Sequence, residues 1–277
     1  MASPNLLAEA DWLIGDRECE KILAAAMPAL LALDRHPEPL LAWLAARSPK
    51  RLGPYFELLV AYWLAFLIDA NWYATNKIVK SGRITVGEYD LLWRSGAGQL
   101  HHWEVSAKLY LLVNPDRGFA GYIGTMKHDR LDLKVARLRD KQLHLAVTPE
   151  GATALPEPGE HVRCRALFKG WLFYPRQVPD FSATGLSPRH LSGWWAHWHN
   201  SEFVLQPNLR WRILERLSWL APVRCDVSSE SSTEAGFREE LTAYFAGHAT
   251  PLLVAGLSQA DDGWEEVTRG FIVPSAW

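Results

Sequence analysis

Residues 77–113 constrain the fold more than any other stretch. They hold two short runs, 77–80 and 83–86, flanking a Ser81-Gly82 turn signal, then the run 88–93. A second turn at Ser95-Gly96-Ala97-Gly98 is followed by the long run 100–113. Runs of this kind separated by Gly and Ser predict antiparallel strands joined by tight turns. Successive side chains on a strand point to opposite faces. Glu88 and Asp90 therefore share one face of their strand, and His102, Glu104, Ser106 and Lys108 share one face of the next. Trp103, Val105, Ala107 and Leu109 form that strand's apolar back. A hairpin sets Asp90 beside Glu104. Two adjacent carboxylates repel unless a cation lies between them, and a hard divalent ion such as Mg²⁺ or Mn²⁺ suits such an oxygen-rich pair.

Helical patterns flank this block. Ser3-Pro4, followed by Leu6, Ala10, Leu13 and Ile14 at helical spacing, predicts a first helix. Residues 16–33 predict a second, kinked at Pro28, and 40–46 a short third. After Gly53-Pro54, residues 55–69 read as the most apolar helix, whose single charge before Asp69 is Glu57. Residues 125–142 read as an amphipathic helix with an apolar stripe of Leu131, Val135 and Leu138. On it, Lys127, Arg130, Lys134, Arg137 and Lys141 recur at 3, 4, 3 and 4 residues, which sets five cations on one face. A Pro-marked loop over 148–159 precedes a strand over 163–174. Beyond Pro175 lie an aromatic cluster with Trp194, Trp195 and Trp198, helical patterns over 209–220 and 237–245, and a strand over 251–257.

Composition narrows the function classes. The chain has 277 residues, 29 Lys+Arg, 31 Asp+Glu and a formal net charge of −2; 48% of it is apolar and 22% charged. This is the profile of a globular protein and excludes a tail-driven nucleic-acid binder, so any polyanion site is a local patch. The longest apolar run, 22–33, is interrupted by Pro28 and is shorter than the roughly 20 residues of a spanning helix, so no membrane insertion is expected. Cys19, Cys164 and Cys225 are scattered and form no CxxC, which points to a reducing cytoplasm rather than a disulfide framework or zinc site. The 14 Trp residues indicate bulky packing.

The order of these parts resembles the PD-(D/E)XK nuclease superfamily, whose core runs helix, three strands, helix, strand. Within it the chain is similar to a bacterial family of unknown function assigned to that superfamily. The stretches that carry the likeness are Gly53-Pro54-Tyr55-Phe56-Glu57, Gly87-Glu88-Tyr89-Asp90-Leu91-Leu92, His102-Trp103-Glu104, Lys108-Leu109-Tyr110, His128-Asp129-Arg130-Leu131-Asp132-Leu133-Lys134 and Arg269-Gly270-Phe271. The resemblance implies an α/β fold with a restriction-endonuclease-like core over 51–175, a helical N-terminal segment over 1–50 and a Trp-rich α/β extension over 176–277. It implies Mg²⁺- or Mn²⁺-dependent phosphodiester hydrolysis on DNA or RNA. Asp90 and Glu104 would be the metal ligands, Glu57 an outer ligand or water anchor, and Lys108 the lysine that orients water or neutralises charge. Lys127, Arg130, Lys134, Arg137 and Lys141 would meet phosphates.

One departure stands out. The superfamily lysine falls two residues after the glutamate, where this chain has Ser106, and Lys108 comes four residues after Glu104. Along a regular strand that is about 13 Å rather than about 6.6 Å. A bulge or bend near Lys108 would restore its reach, Lys134 would substitute for it, or the site binds without hydrolysing. Plainer readings stand beside these. Asp90 is then a polar strand position, Glu104 part of a cross-strand charge ladder with His102 and Lys108, Glu57 the solvated side of its helix, and the cation stripe a solvated face. The rival functions are a catalytically inactive nucleic-acid binder on the same core and a protein-interaction scaffold.

Overall fold

The computed structural model describes residues 2–68, 70–157, 159–176, 183–199, 205–226, 231–261 and 263–277, with the backbone but not the side chain of residue 71. The chain is mixed α/β and falls into two compact units interleaved in sequence: residues 1–108, 131–170 and 184–190, and residues 109–130, 171–183 and 191–277. The linear segments 1–50, 51–175 and 176–277 divide the chain differently from this.

In the first unit, helices α1 (Asp16–Arg35), α2 (Glu38–Arg47) and α3 (Leu52–Phe66) precede strands β1 (Ala70–Ser81), β2 (Ile84–Ser95) and β3 (Leu100–Leu112). The apolar helix thus ends at Phe66, and Asp69 lies outside the described residues. β1 and β2 form an antiparallel hairpin closed at Ser81↔Ile84, where Gly82 takes φ 60°. β2 runs unbroken through Gly87, joining two stretches that the sequence separates. It pairs antiparallel with β3 from Arg94↔Leu100 to Leu91↔Trp103. β5 (Val162–Pro175) is β3's other neighbour. Gly170, at φ 151°, faces β3 so closely that a Cβ there would stand 1.8 Å from the Lys108 carbonyl oxygen. Val79, Tyr89, Leu92, Leu100, Leu145, Ala146 and Leu155 pack into a core.

The expected helix near Leu6 does not form. Leu6 N–H donates to Phe168 O at 3.1 Å and Ile14 N–H to Ala166 O at 2.9 Å, so this stretch is tied to β5 at two points, with a turn closed by Leu13 N–H and Ala10 O between them. A hydrogen bond and an ion pair hold it: Lys169 Nζ donates to Ser3 O at 2.7 Å, and Arg189 meets Asp16 at 3.0 Å. Apolar residues at helical spacing are equally suited to a short irregular segment buried at several points, and here β5 supplies the partners that a helix would have supplied itself.

The helix expected over 125–142 is shorter than its periodicity suggests. α4 spans Leu131–Arg137 and continues into a π turn over Leu138–Gln142. Lys127 stands in the preceding turn at φ 64°, and Arg130 is bridged to Ile123, so neither lies on the helix with Lys134, Arg137 and Lys141. Lys134 and Arg137 lie on α4 and Lys141 in the π turn, so the expected stripe of five cations on one helical face does not form. The loop over 148–159 contains the short helix α5 (Pro149–Thr153), capped by Thr148 Oγ1 accepting from Gly151 N–H.

The second unit is the Trp-rich one. After the two-residue strand β4 (Tyr122–Ile123), which pairs with the end of β3, the remaining strands are β6 (Leu191–His197), β7 (Arg210–Ile213), β8 (Arg224–Cys225), β9 (Leu252–Ala260) and β10 (Gly263–Val273). β6 runs parallel to β5 and to β10, whereas β10–β9 and β9–β7 are antiparallel. Helix α6 (Glu234–Gly247) packs Phe237 and Leu241 against Trp194 and Trp211. The pattern over 209–220 is not a helix. Trp211 exchanges backbone hydrogen bonds with Ser232 while its strand pairs with β9, and only Arg216–Trp219 make a 3₁₀ turn.

Within this unit, indole N–H groups meet carbonyl oxygens in turns and near element ends: Trp195 to Leu112, Trp211 to Gln206, Trp219 to Leu214 and Trp277 to Thr125, at 2.9–3.1 Å. The Arg269-Gly270-Phe271 stretch is structural. Arg269 is buried, donates to Trp219 O and Ala221 O at 2.8 Å, pairs with Glu266 and stacks over Trp171. A Cβ at Gly270 would meet the Trp194 ring at 2.1 Å, and Phe271 lies in the core.

Candidate functional site

The antiparallel register of β2 and β3 sums to a constant, so the step after Leu91↔Trp103 sets Asp90 opposite Glu104. The paired positions stop there. Asp90 Oδ2 instead accepts the backbone N–H of Val105 at 3.0 Å. On the other side of β2 the register sets Asn76 opposite Asp90, and Asn76 takes the left-handed conformation, φ 52°. Both neighbours of β2 are thus irregular at this one position. Asn tolerates such a backbone at lower cost than most residues.

The Asp90 and Glu104 carboxyl groups approach closely enough to interact directly. Glu104 is fully buried. One of its oxygens meets His102 Nε2 at 2.8 Å and the other accepts from Gln142 Nε2. Burial raises the Asp90 carboxyl well above its ordinary range, and the charge of Glu104 raises it further against the Val105 N–H. Burial likewise raises Glu104, against the pull of the Asp90 hydrogen bond and of Lys134. Glu57, the lone charge of α3, joins them: burial and the charges of Asp90 and Glu88 push it up to about 7. His102 is pushed down to about 4 by burial and is neutral at pH 7, so its Nε2–H donates to Glu104.

The cation brought to these carboxylates is Lys134. It acts electrostatically on Glu57, Asp90 and Glu104, and its Nζ donates to Gln142 Oε1 at 3.3 Å. Burial lowers its pKa, and so does the charge of nearby Lys108. Lys108 is half-buried on an unbroken β3. Arg137 and Lys141 line a cleft of about 660 Å³ together with Glu88, Asp90, Leu133, Gln142 and Leu145. Lys127 and Arg130 belong to the second unit.

Asp90 and Glu104 fit a divalent cation by their chemistry. They are adjacent, oxygen-only and held by fixed donors, and their pKa values are raised chiefly by burial, a desolvation cost that a bound cation would offset. Among the described residues no three His, Cys, Asp or Glu side chains form a ready metal-binding group, so the fit rests on this pair. Two participants have no site role in the sequence analysis. His102 appears there as a face neighbour and charge-ladder partner of Glu104, and Gln142 carries no signal at all, because only the π turn aims it at Glu104.

No helix among the described residues is long and apolar enough to cross a membrane. No curated protein and no solved structure matches the chain. A family profile does match, over residues 1–273, and the chain belongs to that family, a domain of unknown function (DUF1853).

Proposed function

We propose that the site hydrolyses phosphodiester bonds in DNA or RNA with Mg²⁺ or Mn²⁺ held by Asp90 and Glu104. The observation that carries this reading is the direct approach of these two carboxyl groups across adjacent strands, beside Glu57 and Lys134. The order α3, β1, β2, β3, α4, β5 supports a restriction-endonuclease-like core. The bound ion would lower the pKa of water and offset charge on the phosphoryl oxygens. His102 and Gln142 fix Glu104, and Val105 N–H fixes Asp90, so the donor oxygens are oriented in advance. Glu57 anchors an outer water. The water oxygen joins phosphorus and gives up a proton, the P–O bond to the departing nucleoside breaks, and the departing oxygen takes up a proton. Arg137 and Lys141 on the cleft wall contact backbone phosphates. The three cysteines are free thiols, in keeping with a cytoplasmic setting.

The test is incubation of the purified chain with single- and double-stranded DNA and RNA and Mg²⁺ or Mn²⁺, with Glu104→Gln as control. Metal-dependent cleavage absent from the variant supports the reading. Ser106, at the place of the superfamily lysine, favours a second reading, a binder that does not cut. Salt-sensitive binding without cleavage by the wild type would select it.

A further inference from the structure

We propose that Lys134, positioned by Gln142, supplies the amine of the carboxylate site in place of the lysine that β3 lacks at Ser106. This rests on the hydrolytic reading of the site. Serine has no cation to offer, and Lys108 lies about 13 Å along a regular strand from Glu104. Lys134 reaches the site from α4, and a hydrogen-bonded chain ties it in: Lys134 Nζ to Gln142 Oε1, Gln142 Nε2 to Glu104 Oε2, and Glu104 Oε1 to His102 Nε2.

The π turn makes this chain possible. Eight residues of regular α-helix would rotate Gln142 by about 80° from the direction of Lys134. A π turn absorbs one residue, so Gln142 stands near the direction that a seventh residue would take, in line with Lys134. Gln142 suits the task because its amide donates to a carboxylate at one end and accepts from an ammonium at the other. Lys134 thereby leaves the set of phosphate contacts on the outer cleft wall, which Arg137 and Lys141 make without it. Lys134 is the catalytic residue of the pair and Gln142 a positioning residue.

Two measurements test this. The first is chemical rescue. Lys134→Ala is expected to lose Mn²⁺-dependent cleavage, and added propylamine, which replaces the missing part of the side chain, is expected to restore it. Any loss in Lys108→Ala should not be restored. Rescue at position 108 and not at 134 overturns the assignment. The second needs no activity. In metal-free protein, acylation of individual lysines is followed by mass spectrometry, with circular dichroism confirming the fold of each variant. Lys134 should react several-fold more slowly than exposed Lys127 and Lys141, and Gln142→Met, similar in length but without the amide, should remove that protection. An unprotected Lys134 in the wild type, or protection that survives in Gln142→Met, overturns the positioning role. A wild type that cleaves neither DNA nor RNA removes the hydrolytic reading and the amine role with it. The acylation result then still decides whether Gln142 holds Lys134.

Discussion

Asp90 takes the Val105 backbone N–H on its carboxylate just beyond the point where β2 and β3 stop pairing at Leu91↔Trp103. An acidic side chain thus does what a strand carbonyl ordinarily does, and its direction is fixed by the backbone of the very strand that bears Glu104. That bond separates two properties of Asp90, its hydrogen-bond acceptance and its charge.

Asp90→Asn keeps the acceptor and removes the charge. The Asp90 pKa is raised in the folded chain, chiefly by burial. Between pH 4 and 7 the folded chain therefore holds a proton that the unfolded chain has released, and stability falls as pH rises. The variant escapes this loss. In metal-free urea melts it should exceed the wild type by about 1–3 kcal/mol at pH 8 and match it near pH 4. A variant less stable than wild type at pH 8 contradicts the charge argument.

Added Mg²⁺ or Mn²⁺ should raise the melting temperature at pH 8 and have little effect at pH 5, where protons occupy the raised Glu57, Asp90 and Glu104 carboxyls. Differential scanning fluorimetry reads this directly. The shift should vanish in Asp90→Asn and in Glu104→Gln. An equal shift at both pH values would place the ion elsewhere.

Arg137 and Lys141 line the same cleft as Glu88 and Asp90. Reversing both charges, Arg137→Glu with Lys141→Glu, should weaken binding to a fluorescent oligonucleotide and lower the slope of log K against log salt by about 2. Titration at several salt concentrations measures both quantities. An unchanged slope means that these side chains only face solvent.

Gly270→Ala would push a methyl group into the Trp194 ring, which stands 2.1 Å from the added carbon. Overpacking of this kind in a core costs about 1–3 kcal/mol. Urea denaturation should show a loss of that size, and a neutral variant would mean that Trp194 shifts freely.

The sequence carries the Asp90–Glu104 relationship because strand parity and a short turn suffice to align two residues. It carries Glu57 because one carboxylate in an otherwise apolar helix has to be accommodated somewhere. Lys134 and Gln142 are a different matter. Their alignment depends on one extra residue in a turn, which no periodicity encodes, and a regular helix drawn through 125–142 gathers Lys127 and Arg130 onto a face that does not exist. Leu6 to Ile14 and residues 209–220 fail for a related reason. Their apolar spacing fits a helix, but β5 in the first case, and Ser232 with β9 in the second, supply backbone partners that local sequence cannot foresee.

The indole-to-carbonyl bonds of the second unit change what a conservative replacement means there. Phenylalanine fills much of the volume of tryptophan but has no N–H. At Trp195, Trp219 or Trp277 it would strand a carbonyl at the end of a strand or turn. An unsatisfied buried acceptor costs about 1–3 kcal/mol, comparable to the packing itself. Tryptophan is used at these positions as a latch, and a homologue that loses the indole there needs another donor, a serine hydroxyl or a backbone amide, to keep the element end shut.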